Sequence, residues 1–355
     1  MSKTTKTIVG IIALAVIAGG IWYFSGDQKE TPQKEQVKVG AILPLTGKAA
    51  FWGEPVNKGM QLAARKIKDK HGEEELDLMI QDSQSGSKSA VSAAKKLLNV
   101  NNVDILYTEL SGPSGAVSPM AKKSNTVLMY SAFLPSILEN NPLAIKTFIN
   151  YEDVCKNYAD YAKGQNFNTV AIIGVSNGLA PVCKEAIETR YSSDNIMMAD
   201  ITPKDDLRTV MLKMKNKGVD SIVAITYEAT GMDVHKIKNE IDLNAEIFCY
   251  KQNCATQEIV DEVGLKGMEP TLYFEAKIAD DFKKKYAVEY GDDQATSDQL
   301  QPAAFSHDAL LSMFKGVREC GVENRQCIIN SITETDKGAL TSYKFEGRSI
   351  VPEFE

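Results

Sequence analysis

The chain has 355 residues, 43% of them hydrophobic and 25% charged, and a formal net charge of −7. The acidic balance argues against nucleic acid as a partner, which calls for a basic surface. The length exceeds what one hydrophobic core usually serves, so two lobes are expected.

In chain order, the first feature is Thr7–Phe24 (TIVGIIALAVIAGGIWYF), which carries no charge. As a helix rising about 1.5 Å per residue it is roughly 27 Å long, close to the hydrocarbon thickness of a bilayer. Lys3 and Lys6 precede it and Asp27 follows, so the chain beyond it is expected outside the cell membrane. Trp22 and Tyr23 suit the interfacial belt. Ile21-Trp22-Tyr23-Phe24 is a poor cleavage site, and no cysteine follows the apolar run to carry a lipid. Residues 1–6 are therefore read as a cytoplasmic start and 7–24 as a transmembrane signal anchor, a cleaved leader being the alternative. Ser25–Gln36 is polar with charges of both signs and reads as a flexible linker.

Beyond the linker, short apolar runs alternate with helical patterns. Val37–Leu43 predicts a strand and Glu54–Lys70 a helix, with Val56, Met60, Ala63, Ala64 and Ile67 on one face. Strands follow at Leu76–Gln81, Asp104–Thr108 and Thr126–Tyr130, separated by helices at Ser87–Leu98 and Gly115–Lys123. The alternation then restarts: helix Glu152–Ala162, strand Thr169–Val175, helix Leu179–Tyr191, strand Ile196–Ile201, helix Leu207–Lys215, strand Ser221–Thr226, helix Thr230–Glu240 and strand Glu246–Tyr250. Two such series imply an α/β protein with two doubly wound, Rossmann-like lobes, each exposing the C-terminal ends of its strands to a crevice. The last stretch, Tyr343–Phe354, reads as a hairpin or a return strand.

There are six cysteines. An even count outside the membrane points to disulfides. Cys320 and Cys327 bracket a short polar loop and suit a small ring; Cys155 with Cys183 and Cys249 with Cys254 are the further pairings. None has the C-x-x-C spacing of a zinc site, so neither metal nor cofactor is expected. His71, His235 and His307 lie on separate segments, and no P-loop, nucleophile elbow, dinucleotide fingerprint or H-E-x-x-H motif occurs. An enzyme is not expected.

The run VKVGAILPLTGKAAFWGEPVNKGMQLAARKI, with Pro44-Leu45-Thr46-Gly47, Trp52-Gly53, Gly59 and Ala63-Ala64, resembles the opening of the branched-chain amino acid (Leu/Ile/Val)-binding family. These are type I periplasmic binding proteins, the substrate-binding proteins of ABC transporters. Gln81-Asp82-Ser83, Leu110–Tyr130, Gly267-Met268, Phe305–Ala309 and Tyr343–Gly347 resemble later motifs of that family in order and spacing. The resemblance implies lobe 1 from 37–147 and 276–334, lobe 2 from 148–275 and 335–355, and three hinge crossings that let the lobes close on a ligand.

It also implies a site. Ser111 matches the carboxylate-binding serine of the family, and a helix start after Ser111-Gly112 suits an anion, although Ser111 could equally be a simple cap. Ala132 and Phe133 match the segment of ligand contact after the next strand, and Trp52 matches the lid aromatic. In the second lobe, Asn177, Tyr227 with Glu228, and Tyr250 with Lys251 are read from their places at C-terminal strand ends as further contacts, simple solvated turn residues being the alternative. Amino acid-binding members carry an acid near 250–251 for the ammonium group, where this chain has none; Glu228 could take over that contact from the neighbouring strand, so an amino acid and a carboxylate compete as ligand. The expected function is capture of a small polar solute, an amino acid or carboxylate, for an ABC permease, by a receptor tethered to the membrane through 7–24. A membrane-tethered sensory module with a separate signalling partner is the alternative.

Overall fold

The computed structural model describes residues 36–352 except 149, 176–178, 203–204, 227, 251–253, 269–270, 275–276, 334–337 and 341–342. The cytoplasmic start, the anchor at 7–24 and residues 25–35 of the linker lie outside the described residues. None of the described helices is long and apolar enough to cross a membrane.

The first series of elements runs β1 (Val37–Leu43), α1 (Ala50–His71), β2 (Leu76–Asp82), α2 (Ser87–Asn99), β3 (Ile105–Glu109), α3 (Ser111–Lys123), β4 (Val127–Ser131), α4 (Ser136–Asn140) and β5 (Ala144–Lys146). The second runs α5 (Tyr151–Gly164), β6 (Val170–Gly174), α6 (Leu179–Ile187), β7 (Ile196–Asp200), α7 (Leu207–Lys217), β8 (Ser221–Ile225), α8 (Glu228–Glu240), β9 (Glu246–Tyr250), α9 (Gln257–Val263), α10 (Leu265–Met268) and β10 (Thr271–Phe274). Helices α11 (Asp280–Tyr290), α12 (Ser297–Cys320) and α13 (Arg325–Thr333) follow, then strands β11 (Tyr343–Glu346) and β12 (Ser349–Pro352).

Two sheets result, with strand orders β11-β12-β5-β4-β3-β1-β2 and β10-β9-β8-β6-β7. Strands β1–β5 pair in parallel, as do β6–β10. In each sheet the order reverses at the first strand of its series, between β1 and β3 and between β6 and β8. Such a reversal splits the connecting helices to opposite faces and opens a crevice outside the C-terminal strand ends. The central strands are buried on both faces, which is why VAIIG is a continuous apolar run and VKVGAIL is apolar apart from the half-buried Lys38 near its start. The edge strand β2 (LDLMIQD) is half-buried along most of its length, in keeping with its polar positions.

Helix α1 buries Val56, Met60, Ala63, Ala64 and Ile67, the stripe that its periodicity predicts. These residues share a core with Ala309, Leu310, Met313, Phe314 and Val317 of α12. The two helices approach closely at Gly59, where a Cβ would lie 2.0 Å from the Ala303 carbonyl oxygen. Only glycine permits that crossing. All six cysteines are paired: Cys155–Cys183 ties α5 to α6, Cys249–Cys254 closes the end of β9, and Cys320–Cys327 joins α12 to α13, with Cα separations of 5.3, 6.3 and 5.6 Å.

One assignment is corrected. The terminal hairpin β11–β12 extends the first sheet beside β5, whereas 335–355 was expected in lobe 2. The reason lies in Arg348, at the hairpin turn. Its guanidinium donates to the carbonyls of Leu138, Asn141 and Ala144, each at 2.8 Å, and its own carbonyl accepts from the Lys146 N–H at 2.8 Å. The turn is thus bound to the α4–β5 corner, and β12 covers the exposed edge of β5.

Candidate functional site

The crevice wall begins where β1 ends. The turn Pro44-Leu45-Thr46-Gly47 is held by Asp82, at the end of the neighbouring strand. Its carboxylate accepts from the backbone N–H groups of Leu45 (3.0 Å), Thr46 (3.2 Å) and Gln84 (2.7 Å) and from the Thr46 hydroxyl (2.6 Å). Burial pushes this carboxyl up, but the hydrogen bonds from Thr46, Gln84 and Leu45 outweigh it and hold it below the usual carboxylate range. The Ser85 hydroxyl adds bonds to the Thr46 carbonyl and from the Ala49 N–H. This turn launches α1 at Ala50, four residues before the expected start, so Trp52 lies in a first helical turn rather than in a loop. Gly53 seats that turn: a Cβ there would lie 2.1 Å from the Pro44 carbonyl oxygen.

Trp52 meets residues from distant parts of the chain. Its indole N–H donates to Glu109 Oε2 at 3.0 Å, and its ring packs edge-on to Phe148 at 5.8 Å. Phe148 is the hub of an aromatic cluster. It contacts Phe133 (5.0 Å), Tyr250 (6.0 Å) and Phe305 (5.6 Å), and Phe133 also contacts Tyr151 (4.9 Å). Tyr250 is buried and its hydroxyl donates to Gln301 Oε1 on α12 at 2.7 Å. These contacts join elements of both sheets to α12.

Ser111 is the first residue of α3, so Ser111–Ser114 form the opening turn of the helix and do not precede it. The Ser111 hydroxyl accepts from the Phe133 N–H at 3.3 Å, which ties the helix start to the segment after β4. Gly112 is exposed and Ala132 is buried. The free N–H groups of α3 and its partial positive charge favour an anion at this end. Ser114 is not aimed outward, since its hydroxyl accepts from Thr108 at 2.9 Å.

Glu109, the last residue of β3, was not singled out from the sequence. It is buried, and one oxygen accepts from Trp52 while the other accepts from the Tyr107 hydroxyl. Burial pushes its carboxyl up to about 7, against the hydrogen bonds of Tyr107, Trp52 and Ser131, which pull it down. Among the described residues none of these partners is basic. A charged residue ending an otherwise apolar strand, two places before Ser111, was the available signal. Phe148 and Gln301 were missed as well, because nothing local distinguishes them from core residues.

In the second series, Glu228 is the first residue of α8. Asn177, Tyr227 and Lys251 lie outside the described residues. The profile of the family described as "Periplasmic binding protein" matches residues 36–347. The chain belongs to the periplasmic binding protein family. Among curated relatives of this periplasmic binding protein is the Leu/Ile/Val-binding protein BraC3 of Rhizobium johnstonii, 27% identical over 258 residues, which cover 70% of this chain and 66% of that protein. The match thus spans just under two thirds of that relative. Solved structures share the fold. One is LivJ of Streptococcus pneumoniae in complex with isoleucine (TM-score 0.71, 16% identity, 89% of this chain and 94% of that one). Another is a binding protein of R. palustris in complex with 4-hydroxybenzoate (TM-score 0.73, 16% identity, 89% of this chain and 91% of that one).

The periplasmic binding protein stores backbone strain next to this site. Leu110, between β3 and α3, has φ 67° and ψ 146°, a region open in practice to glycine alone. Its N–H donates to the Ser131 carbonyl at 3.1 Å, and that bond sets how Ser111 is presented. Leu110 belongs to none of the hydrophobic clusters, so its side chain contributes little packing. Leu110→Gly should therefore stabilise the protein by about 1 kcal/mol, strain relief outweighing glycine's extra unfolded-state freedom. Urea denaturation of the variant checks this, and a loss of stability would show that the backbone is not strained there.

Proposed function

We propose that the chain is an extracytoplasmic solute-binding receptor of an ABC importer, tethered to the membrane through residues 7–24. The lobes would be 37–147, 276–334 and the terminal hairpin on one side, and 148–275 on the other, closing around a small amino acid or carboxylate. The observation that carries the reading is the meeting of Trp52, Phe133, Phe148 and Tyr250 beside the start of α3, at the C-terminal strand ends where this architecture binds ligands. The rings offer an apolar wall to a side chain, and the helix start offers N–H groups to a carboxylate. A relative named for Leu/Ile/Val, and neighbours in complex with isoleucine and with 4-hydroxybenzoate, agree with that pairing.

Ligand binds the native state and not the unfolded chain, so a true solute should raise the unfolding temperature in proportion to its affinity and concentration. Leucine, isoleucine, valine and 4-hydroxybenzoate are the first solutes to test on the full-length chain. Trp52→Ala and Ser111→Ala should each weaken the best of them by roughly tenfold or more, as expected of an aromatic anchor and of a polar contact to a charged group. If calorimetry gives wild-type affinity for both variants, the site lies elsewhere.

A further inference from the structure

We propose, resting on the solute-binding reading above, that Glu109 determines specificity at this site: its buried carboxylate, held between the Trp52 indole and the Tyr107 hydroxyl with no basic partner among the described residues, selects solutes that carry an ammonium group. Buried carboxylates normally have a basic partner, because an isolated buried charge is unfavourable. Glu109 departs from that rule at the C-terminal end of β3, the end at which this architecture opens its crevice, and departures of this kind cluster at functional sites. It lies two residues before Ser111 and directly behind the indole that forms part of the wall.

In so dry a setting a unit charge several ångströms away changes affinity by roughly tenfold or more. The faces of Trp52, Phe133 and Phe148 act in the same sense, since aromatic rings attract cations. A solute bearing only a carboxylate gains from the start of α3 but is opposed by Glu109. A zwitterion satisfies both, its carboxylate toward Ser111 and its ammonium toward Glu109.

The groups that face Glu109 are Tyr107 on its own strand, Trp52 from α1 and Ser131 from β4. Of these only Tyr107 titrates, and burial together with the Glu109 charge pushes its phenol well above the ordinary range. With the Glu109 carboxyl held near neutral pH, arrival of a cation drives it to the ionised form and releases a proton. Arrival of an anion alone has the opposite sign.

Isothermal titration calorimetry of the full-length chain tests this near neutral pH, in two buffers of different ionisation enthalpy. The probes are leucine and 4-methylpentanoate, which is leucine without its amine, and phenylalanine and 3-phenylpropanoate. In at least one pair the amino acid should bind roughly tenfold or more tightly than its partner and release protons. In Glu109→Gln that preference should collapse or invert, the des-amino acid binding more tightly than to wild type, and the proton release should vanish. Tighter wild-type binding of the des-amino acids overturns the assignment and leaves the solute-binding reading intact. So does a Glu109→Gln variant that keeps both the preference and the proton release. If none of the four acids binds, the ligand class itself is wrong and the assignment falls with it.

Discussion

Near pH 8.5, Glu109→Gln should be more stable than wild type by roughly 3 kcal/mol, and near pH 4 the gain should be gone. Burial raises the Glu109 carboxyl from its ordinary 4.5 to about 7. A carboxyl raised in the folded state favours folding while it is protonated. That contribution is complete below the ordinary value and is lost as the pH rises through the folded value. Each unit of difference corresponds to about 1.4 kcal/mol, which sets the size of the effect. Glutamine keeps an acceptor for Trp52 or Tyr107 and carries no charge. Lys146 works in the other direction. It is buried, its amine donates to the Phe148 carbonyl at 2.6 Å, and burial pushes it down to about 7. Its unfavourable contribution is therefore relieved as the pH rises above that value. The comparison of variant with wild type cancels this second trend, so urea denaturation of both at several pH values isolates Glu109. A stability difference that does not change with pH would mean that the carboxyl titrates normally.

Asp308→Ala should lose about 4 kcal/mol of stability. Asp308 is on α12 and nearly buried, and its two oxygens accept from the N–H groups of Ala339 (2.7 Å) and Leu340 (2.9 Å). Both of those residues are buried. Removing the carboxylate leaves two buried N–H groups without partners, each charge-assisted bond contributing roughly 1.5–3 kcal/mol. The segment it holds also bonds to the chain entering α11, where the Ala279 N–H donates to the Ala339 carbonyl at 2.8 Å and Ile278 bridges Leu340. Gly338 sits against the same carboxylate, with a Cβ position 2.4 Å from Oδ1. Asp308→Asn retains one acceptor and should lose about half as much. A loss below about 1 kcal/mol for the alanine variant, in chemical denaturation, would show that solvent or backbone shifts replace these bonds.

Much of the fold was legible because its signals are local. Helix α1 repeats its apolar residues every three to four positions, and β1 is apolar apart from Lys38, so each declares its type within a few residues. The starts of α1 and α3 were not legible. The residues preceding them, Ala49 and Leu110, make no side-chain capping bond, so the usual chemical marker is missing. What starts α3 is instead a backbone bond from Leu110 to Ser131 on the next strand.

The candidate site divides in the same way. Trp52 and Ser111 could be picked from short motifs, and the structure places Trp52 in the aromatic cluster and Ser111 in contact with Phe133. Glu109 and Phe148 gain their meaning from contacts made across long stretches of chain, Trp52 with Glu109 and Phe148 with Tyr250 and Phe305. The hairpin 343–352 read as strand from its own residues, but the sheet it joins depended on Arg348 finding the carbonyls of α4 and β5. By itself, then, the amino-acid sequence determined the alternation of strands and helices, the doubly wound architecture and the family, because periodicity and short motifs act over a few residues. Only the tertiary structure decided which sheet the C-terminus completes and that a carboxylate lies buried behind the indole, because burial and hydrogen-bond partners are properties of distant segments brought together.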